Sequence, residues 1–351
     1  MANIYQKIKV ALCSFGLSGK AFHAPFISTH RGFELYAVLE RSKNIVTNFY
    51  PNTIIYKSID RLLCDPEIDL VIVNTPDETH FAFARLALKA GKHVVVEKPF
   101  TQTFHQAVEI IELAKQNNLM LTAFQNRRLD GDFLTIKQIV NNQLLGRLVE
   151  FESHFDRYKT AVDLESWKEK SDTNILYNLG AHMIDQALVL FGMPVALSAD
   201  LRCLRDNSKN VDNYDLRFYY DNLKVTLKAT YLARENSLRY VLHGTKGSYI
   251  KYGIDPQEAL LRTGHLPNET NWGRENENFW GTLNTNINGL HFKGKIETIA
   301  GSYQNFYENI YQHLNHDEPL AVDPLEAAQI IKIIEVAIKS DKLKQAVSLL
   351  T

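Results

Sequence analysis

Residues 93–100 run His93-Val94-Val95-Val96-Glu97-Lys98-Pro99-Phe100. Three β-branched residues in succession, with no polar alternation, describe a strand buried on both faces, as in a parallel sheet. The run stops at a charged pair and a proline. Proline lacks an N–H and holds the preceding Lys98 toward extended geometry. Lys98 is therefore expected at the carboxyl end of a buried strand, where open α/β sheets bind their ligands. A lysine there hydrogen-bonds a substrate oxygen or, if desolvated, loses its proton more easily. A surface lysine capping a strand is the plain alternative.

On both sides of this run, strands and helices alternate, which implies right-handed βαβ units and a doubly wound parallel sheet. Ile8–Leu12 is a short buried strand, followed at once by Ser14-Phe15-Gly16-Leu17-Ser18-Gly19 and a helix beginning near Lys20. This is a dinucleotide fingerprint with its first glycine replaced by serine. Its glycines admit the pyrophosphate to the backbone, and the helix N-terminus supplies N–H groups. A second strand, Glu34–Leu39, ends at Glu40, 21 residues after Gly19, where an acidic residue would bind the ribose hydroxyls of NAD. Arg41, Ser42 and Lys43 would instead hold the 2′-phosphate of NADP. The two readings conflict, because a carboxylate repels a phosphate unless it turns away. These residues by themselves leave NAD and NADP both open.

The strand Ile68–Val73 leads to Asn74, Thr75 and Pro76, and the helix Phe81–Ala90 is stopped by Gly91. Asn74, Thr75 and Pro76 are expected beside Lys98; His80 either contacts the cofactor or opens the helix. The helix Phe104–Gln116 and the strand Leu119–Phe124 complete this half, so the first domain is expected to span residues 1–125 and the second 126–351.

A chain of 351 residues exceeds the usual single core, consistent with two domains. A net charge of −1 gives no nucleic-acid footprint, and no apolar run is long enough for a membrane span. Cys13, Cys64 and Cys203 are odd in number and have no C-x-x-C spacing, which fits reduced thiols in a cytoplasm.

Past residue 145 the pattern becomes runs of strands: Leu148–Arg157, Ala196–Arg205, Tyr214–Tyr220, Lys224–Leu232, Tyr240–His243, Tyr249–Tyr252 and Ile296–Ala300. Asp221-Asn222 and Thr245-Lys246-Gly247 are hairpin turns. The expectation is an α+β domain with a large open, mainly antiparallel sheet, whose uncovered face pairs copies into a homo-oligomer, a dimer or tetramer. Between its first strands a helix carries Asn178, His182 and Asp185 on one face, with Asn178 as the candidate N-cap. Two polar neighbours on one face are how a general-base histidine is oriented. A core histidine is the alternative. A zinc site is not expected, since no cysteine or second histidine stands at ligand spacing.

The whole pattern resembles the Gfo/Idh/MocA oxidoreductases, and most closely their NADP-dependent scyllo-inositol dehydrogenase branch. The likeness spans nearly the whole chain. Its carriers are F-G-x-S-G-K-x-F-H-A-P (Phe15–Pro25), T-P-x-x-T-H (Thr75–His80), E-K-P (Glu97–Pro99) and N-R-R-x-D-x-D-F-L-T (Asn126–Thr135). They continue with F-E-S-H-F-D-R-Y (Phe151–Tyr158), L-G-x-H-x-I-D-Q (Leu179–Gln186) and H-G-x-x-G-S-Y-I-K-Y-G (His243–Gly253). The resemblance implies an N-terminal Rossmann domain, a cyclic polyol or sugar as the small-molecule substrate, Lys98 as a catalytic residue and His182 as the acid/base. It implies substrate contacts from Arg127, Tyr158 and Trp167, and extends the cofactor set to Glu97 and Gln125. Four positions depart from the family pattern: Ser14 for the first glycine, Gln125 for histidine, Leu129 for tryptophan and Asn178 for aspartate. Asparagine can hold His182 but cannot stabilise its charged form, which leaves a cofactor-binding regulator with little turnover as the alternative to an enzyme.

Overall fold

The computed structural model describes residues 7–163, 174–235 and 237–350. Two compact units emerge. The first comprises the chain up to Asn126 together with Gln257–Trp272 and Ser302–Ile331; the second comprises Arg127–Pro256, Gly273–Gly301 and the chain from Lys332 onward.

The first unit is built on six parallel strands: β1 (Ile8–Leu12), β2 (Phe33–Leu39), β3 (Ile54–Tyr56), β4 (Leu70–Val73), β5 (His93–Val96) and β6 (Leu121–Ala123). Their order, β3-β2-β1-β4-β5-β6, is that of a doubly wound sheet, which reverses direction of growth between β1 and β4. The central strands β4 and Val94–Val96 of β5 are wholly buried, which is why these segments are continuous in β-branched and aliphatic residues. Register then fixes the site edge. Leu12 lies opposite Ile72, Val73 opposite Val96, and Val96 opposite Ala123. Ser14, Asn74, Glu97–Lys98 and Gln125 thus all leave the sheet at its carboxyl edge.

Aromatic packing explains why two late segments join this unit rather than following a single cut after residue 125. Tyr307, on the helix Gln304–His316, stacks on Phe26 with ring centroids 5.5 Å apart and planes 8° from parallel. Phe306 meets Phe124 edge-on at 4.9 Å, and Thr122 Oγ1 donates to the Val322 carbonyl at 2.7 Å.

The second unit holds a nine-stranded sheet: β7 (Leu148–His154), β8 (Ala196–Arg202), β9 (Asn213–Tyr219), β10 (Lys224–Thr230), β11 (Leu238–Gly244), β12 (Gly247–Tyr252), β13 (Gly281–Ile287), β14 (Leu290–Ile296) and β15 (Val347–Ser348). The order is β14-β13-β12-β11-β7-β10-β9-β8-β15, with β7 and β10 parallel and every other pair antiparallel. One expectation is corrected. Residues 297–300 are not a strand; the β13–β14 hairpin precedes them, turning at Asn288 (φ 49°) and Gly289 (φ 87°). Two successive positive φ values are what a type I′ turn demands. The legible signal was Asn-Gly, masked by the polar residues Asn284 and Asn286 on either side of Thr285.

Among the described residues, no helix is long and apolar enough to cross a membrane, and no group of three or more His, Cys, Asp or Glu side chains could hold a metal ion.

Candidate active site

In the first unit, the fingerprint loop is locked to the end of β4. Ser14 N–H donates to Asn74 Oδ1 at 2.9 Å, Ser14 Oγ donates to the Asn74 carbonyl at 2.8 Å, and Asn74 Nδ2 donates to the Ser14 carbonyl at 2.9 Å. Ser14 needs no positive φ, so serine serves in place of glycine and its hydroxyl adds a bond. Gly19 is different: a Cβ there would lie 2.3 Å from the Ser14 carbonyl oxygen. The chain then makes a wide turn over Gly19–His23, closed by Ala24 N–H donating to the Gly19 carbonyl, before entering the helix Ala24–Thr29. Such i→i+5 turns recur at functional sites.

A pocket of about 510 Å³ opens at this edge, lined by Ser14, Phe15, Gly16, Glu40–Lys43, Thr75 and Pro76 among others. Leu17 beside it is exposed, and a Cβ on Gly16 would meet nothing within 4 Å. Glu40 does not present a bare carboxylate there. Its two oxygens accept the backbone N–H groups of Ile45 and Val46, each at 3.0 Å. Lys57, which the sequence did not single out, draws the same loop together by donating to the carbonyls of Glu40 (3.0 Å) and Lys43 (3.1 Å) and to Asn44 Oδ1. Arg41, Ser42 and Lys43 remain exposed on this held loop. The carboxylate is thus engaged by its own loop, although Glu40 still lines the pocket.

The neighbouring loops are held from below. His80 is buried and bridges two carbonyls, Nδ1 to Pro99 at 2.7 Å and Nε2 to Thr75 at 2.9 Å, so it ties the loop after β4 to the loop after β5. Glu97 is also buried: Ser18 Oγ and His23 Nε2 (3.1 Å) donate to Oε1, and Lys98 N–H donates to Oε2 at 3.1 Å. Burial alone would raise its pKa; the hydrogen bonds from His23 and Ser18 and the charge of Lys98 outweigh it and hold the carboxyl at about 2. Gln125, two residues past the end of β6, has Oε1 buried and without a hydrogen-bond partner among the described residues, an acceptor available to a polar ligand group. The donors, the open glycine and this acceptor fit a nicotinamide dinucleotide.

In the second unit, His182 opens the helix Ala181–Phe191 and is buried. This helix too is entered through a wide turn, Leu176–Gly180, closed by Ala181 N–H donating to the Leu176 carbonyl. Asn178 lies inside that turn, so it is not the N-cap. The cap is Asn174, whose Oδ1 accepts from Leu176 N–H at 3.0 Å; the extra helical turn moved the start back by four residues. Asp185 is the ion-pair partner of Arg128, whose Nε reaches Oδ2 at 2.9 Å and whose Nη2 reaches Oδ1 at 2.6 Å. Gln186 beside it donates to the Arg127 carbonyl at 2.8 Å and accepts from Tyr240 Oη at 2.7 Å. Successive residues of the His182 helix thereby fix successive residues of the Asn126–Leu129 turn. Arg127 itself is buried, paired with Asp130 at 3.2 Å and lying over the Phe155 ring at 4.8 Å. Tyr158 is half-exposed, with the Arg234 guanidinium 5.2 Å from its ring centroid. Trp167 lies outside the described residues.

Residues 8–125 match the model of the oxidoreductase family's NAD-binding Rossmann fold, and residues 137–349 match that family's C-terminal alpha/beta domain. The chain belongs to the Gfo/Idh/MocA oxidoreductase family. Within that family it is 39% identical over 338 residues to the oxidoreductase YdgJ of Escherichia coli, covering 95% of this chain and 96% of that one. It is 35% identical over 345 residues to IolW of Bacillus subtilis, named scyllo-inositol 2-dehydrogenase (NADP(+)), covering 97% and 96%. A solved structure from Bacteroides fragilis superimposes with a TM-score of 0.92 at 49% identity, covering 98% of this chain and all of the other. As a member of the Gfo/Idh/MocA family the chain is an NAD(P)-binding oxidoreductase, and its relatives include named dehydrogenases.

Proposed function

We propose that this oxidoreductase oxidises a secondary alcohol of a cyclic polyol or sugar, inositol-like in size, with NADP in preference to NAD. The observation that carries the reading is the carboxyl edge of the six-stranded sheet, where Lys98 is anchored through Glu97 beside a fingerprint loop and a β2 loop displaying Arg41, Ser42 and Lys43. Likeness to IolW supports both the substrate class and the cofactor choice.

A bound nicotinamide supplies the hydride acceptor. Ser14–Ser18 would hold its pyrophosphate, Thr75 and Pro76 would line the approach, and the β2 loop would hold the 2′-phosphate. Lys98 Nζ donates a hydrogen bond to the substrate oxygen and stabilises the negative charge that grows on it. The imidazole of His182 takes the hydroxyl proton. Asn178, one turn before His182, helps set the ring, and Arg127 and Tyr158 contribute substrate contacts. The free thiols of Cys13, Cys64 and Cys203 support a reducing, cytoplasmic setting. Exposed Ile287, Leu290 and Phe292 on β13 and β14 support pairing of copies through the nine-stranded sheet; light scattering of the purified protein is expected to give a dimer or tetramer, and a monomer would rule the pairing out.

The test is absorbance of the reduced cofactor on mixing the protein with NADP or NAD and a panel of inositols and aldoses. Turnover of at least one polyol, faster with NADP, is expected. Tight cofactor binding with no turnover of any member would point instead to a regulator.

A further inference from the structure

The glutamate of the E-K-P run touches neither substrate nor cofactor in the reaction just described, yet it gathers donors from distant parts of the chain. Ser18, 79 residues away, and His23, 74 residues away, both donate to Oε1, while Oε2 accepts the N–H of Lys98. Behind them Tyr307 Oη lies 2.6 Å from His23 Nδ1 and donates to the Phe22 carbonyl at 3.2 Å. An ionised carboxylate only accepts, so Nε2 of His23 carries a proton and the Ser18 hydroxyl points at Glu97. Three of its roughly four acceptor positions are filled by the protein. That makes it a poor direct ligand for a ribose and a good tie. We propose that Glu97 is a positioning residue that couples the dinucleotide loop, through Ser18, to the backbone of Lys98.

The low pKa agrees, since it keeps the carboxylate ionised at neutral pH. Ser18 belongs to the loop assigned to the pyrophosphate, and Lys98 to the groups assigned to the substrate oxygen. One carboxylate therefore joins cofactor binding to placement of the lysine. Displacing a reacting group by about 1 Å can cost on the order of 100-fold in rate.

The proposal rests on the dehydrogenase reading for its kinetic arm only. Three full-length variants are compared with wild type: Glu97→Ala, Glu97→Gln and Ser18→Ala. Glu97→Ala is expected to lower kcat at least tenfold per folded molecule, with NADPH affinity by fluorescence titration changed less than threefold, and to speed hydrogen exchange at the Lys98 amide. Glu97→Gln should recover most of kcat, because its Oε1 still accepts from Lys98 while the Ser18 hydroxyl rotates and His23 shifts its proton to Nδ1. Ser18→Ala should speed exchange at Lys98 although Ser18 does not bond to it. Unchanged kcat and unchanged Lys98 exchange in Glu97→Ala, or a Gln variant as poor as the Ala variant, would overturn the proposal. If Glu97→Ala does not fold, Ser18→Ala carries the exchange measurement alone, and no change at Lys98 then overturns it. If wild type turns over no polyol, the dehydrogenase reading falls, while the exchange measurement still decides the tie.

Discussion

Glu40 and Glu97 occupy matching places, at the carboxyl ends of β2 and β5 in one sheet. Sequence reasoning assigned both to the cofactor, and the structure buries both. They differ in what they accept. Glu40 takes N–H groups five and six residues ahead of it, so it shapes a single loop. Glu97 takes donors from the fingerprint loop and from its own neighbour, so it joins two loops. A carboxylate at a strand end is thus not a ligand by default; the sequence separation of its donors says whether it builds one element or couples two.

The contrast predicts that substitutions at the β5 end act on turnover and those at the β2 end on cofactor choice. The largest expected effect is from Lys98→Met: a loss of about 100-fold or more in kcat, because one positioned donor to the growing charge is gone, with cofactor affinity nearly unchanged. Near-normal turnover would remove the β5 end from catalysis. Next, Arg41→Ala should weaken NADP about tenfold, the value of one charge-assisted contact, while leaving NAD within twofold. If Glu40→Ala weakens NAD in the same titrations and spares NADP, Glu40 is a ribose ligand after all and the two glutamates are alike.

A third expectation concerns acid. The carboxyl of Glu97 is held at about 2 against an ordinary 4.5, so its stabilisation is complete above pH 4.5 and is lost as pH falls toward 2. A displacement of that size is worth on the order of 3 kcal/mol. Denaturant melts from pH 5 to pH 2.5 should show wild type losing stability more steeply than Glu97→Gln; parallel curves would mean that the ties to Ser18 and His23 are not made in solution. The smallest effect is expected outside both strand ends. Asn178→Asp should leave kcat at neutral pH unchanged or raised by about threefold or less, and shift the acidic arm of the pH–rate profile upward, because a carboxylate near His182 favours its protonated form. With no N-cap role to disturb, melting temperature should hold. Superimposable profiles together with an active His182→Ala variant would exclude this helix from the mechanism.

Much of this architecture was legible. Val94–Val96 and Leu70–Val73 announced the buried strands by composition, and the helix Phe104–Gln116 was read to the residue; in the structure Thr103 caps it by accepting from Gln106 N–H. Legibility failed where a role depends on distant partners. Nothing local in His23 points to Glu97, nor in Lys57 to the β2 loop, nor in Arg128 to Asp185. The Leu176–Gly180 turn escaped for a different reason: it adds a helical turn without changing composition, so Asn178 resembled a cap while Asn174 was one.

The contact between His23 and Tyr307 joins side chains 284 residues apart. On a ribosome adding about 5–20 residues per second, the aromatic faces of Phe26 and Phe33 would exist for roughly 15 s to a minute before Tyr307 is made, and that of Phe124 for roughly 10 to 40 s. The nucleotide-binding half is therefore begun first but is not completed until residue 331. A nascent chain arrested before residue 302 is expected to be cut readily by protease within its first 125 residues, and to become resistant once residue 331 has cleared the exit tunnel. Residues 8–125 would then be a recognisable segment of sequence without being a portable module.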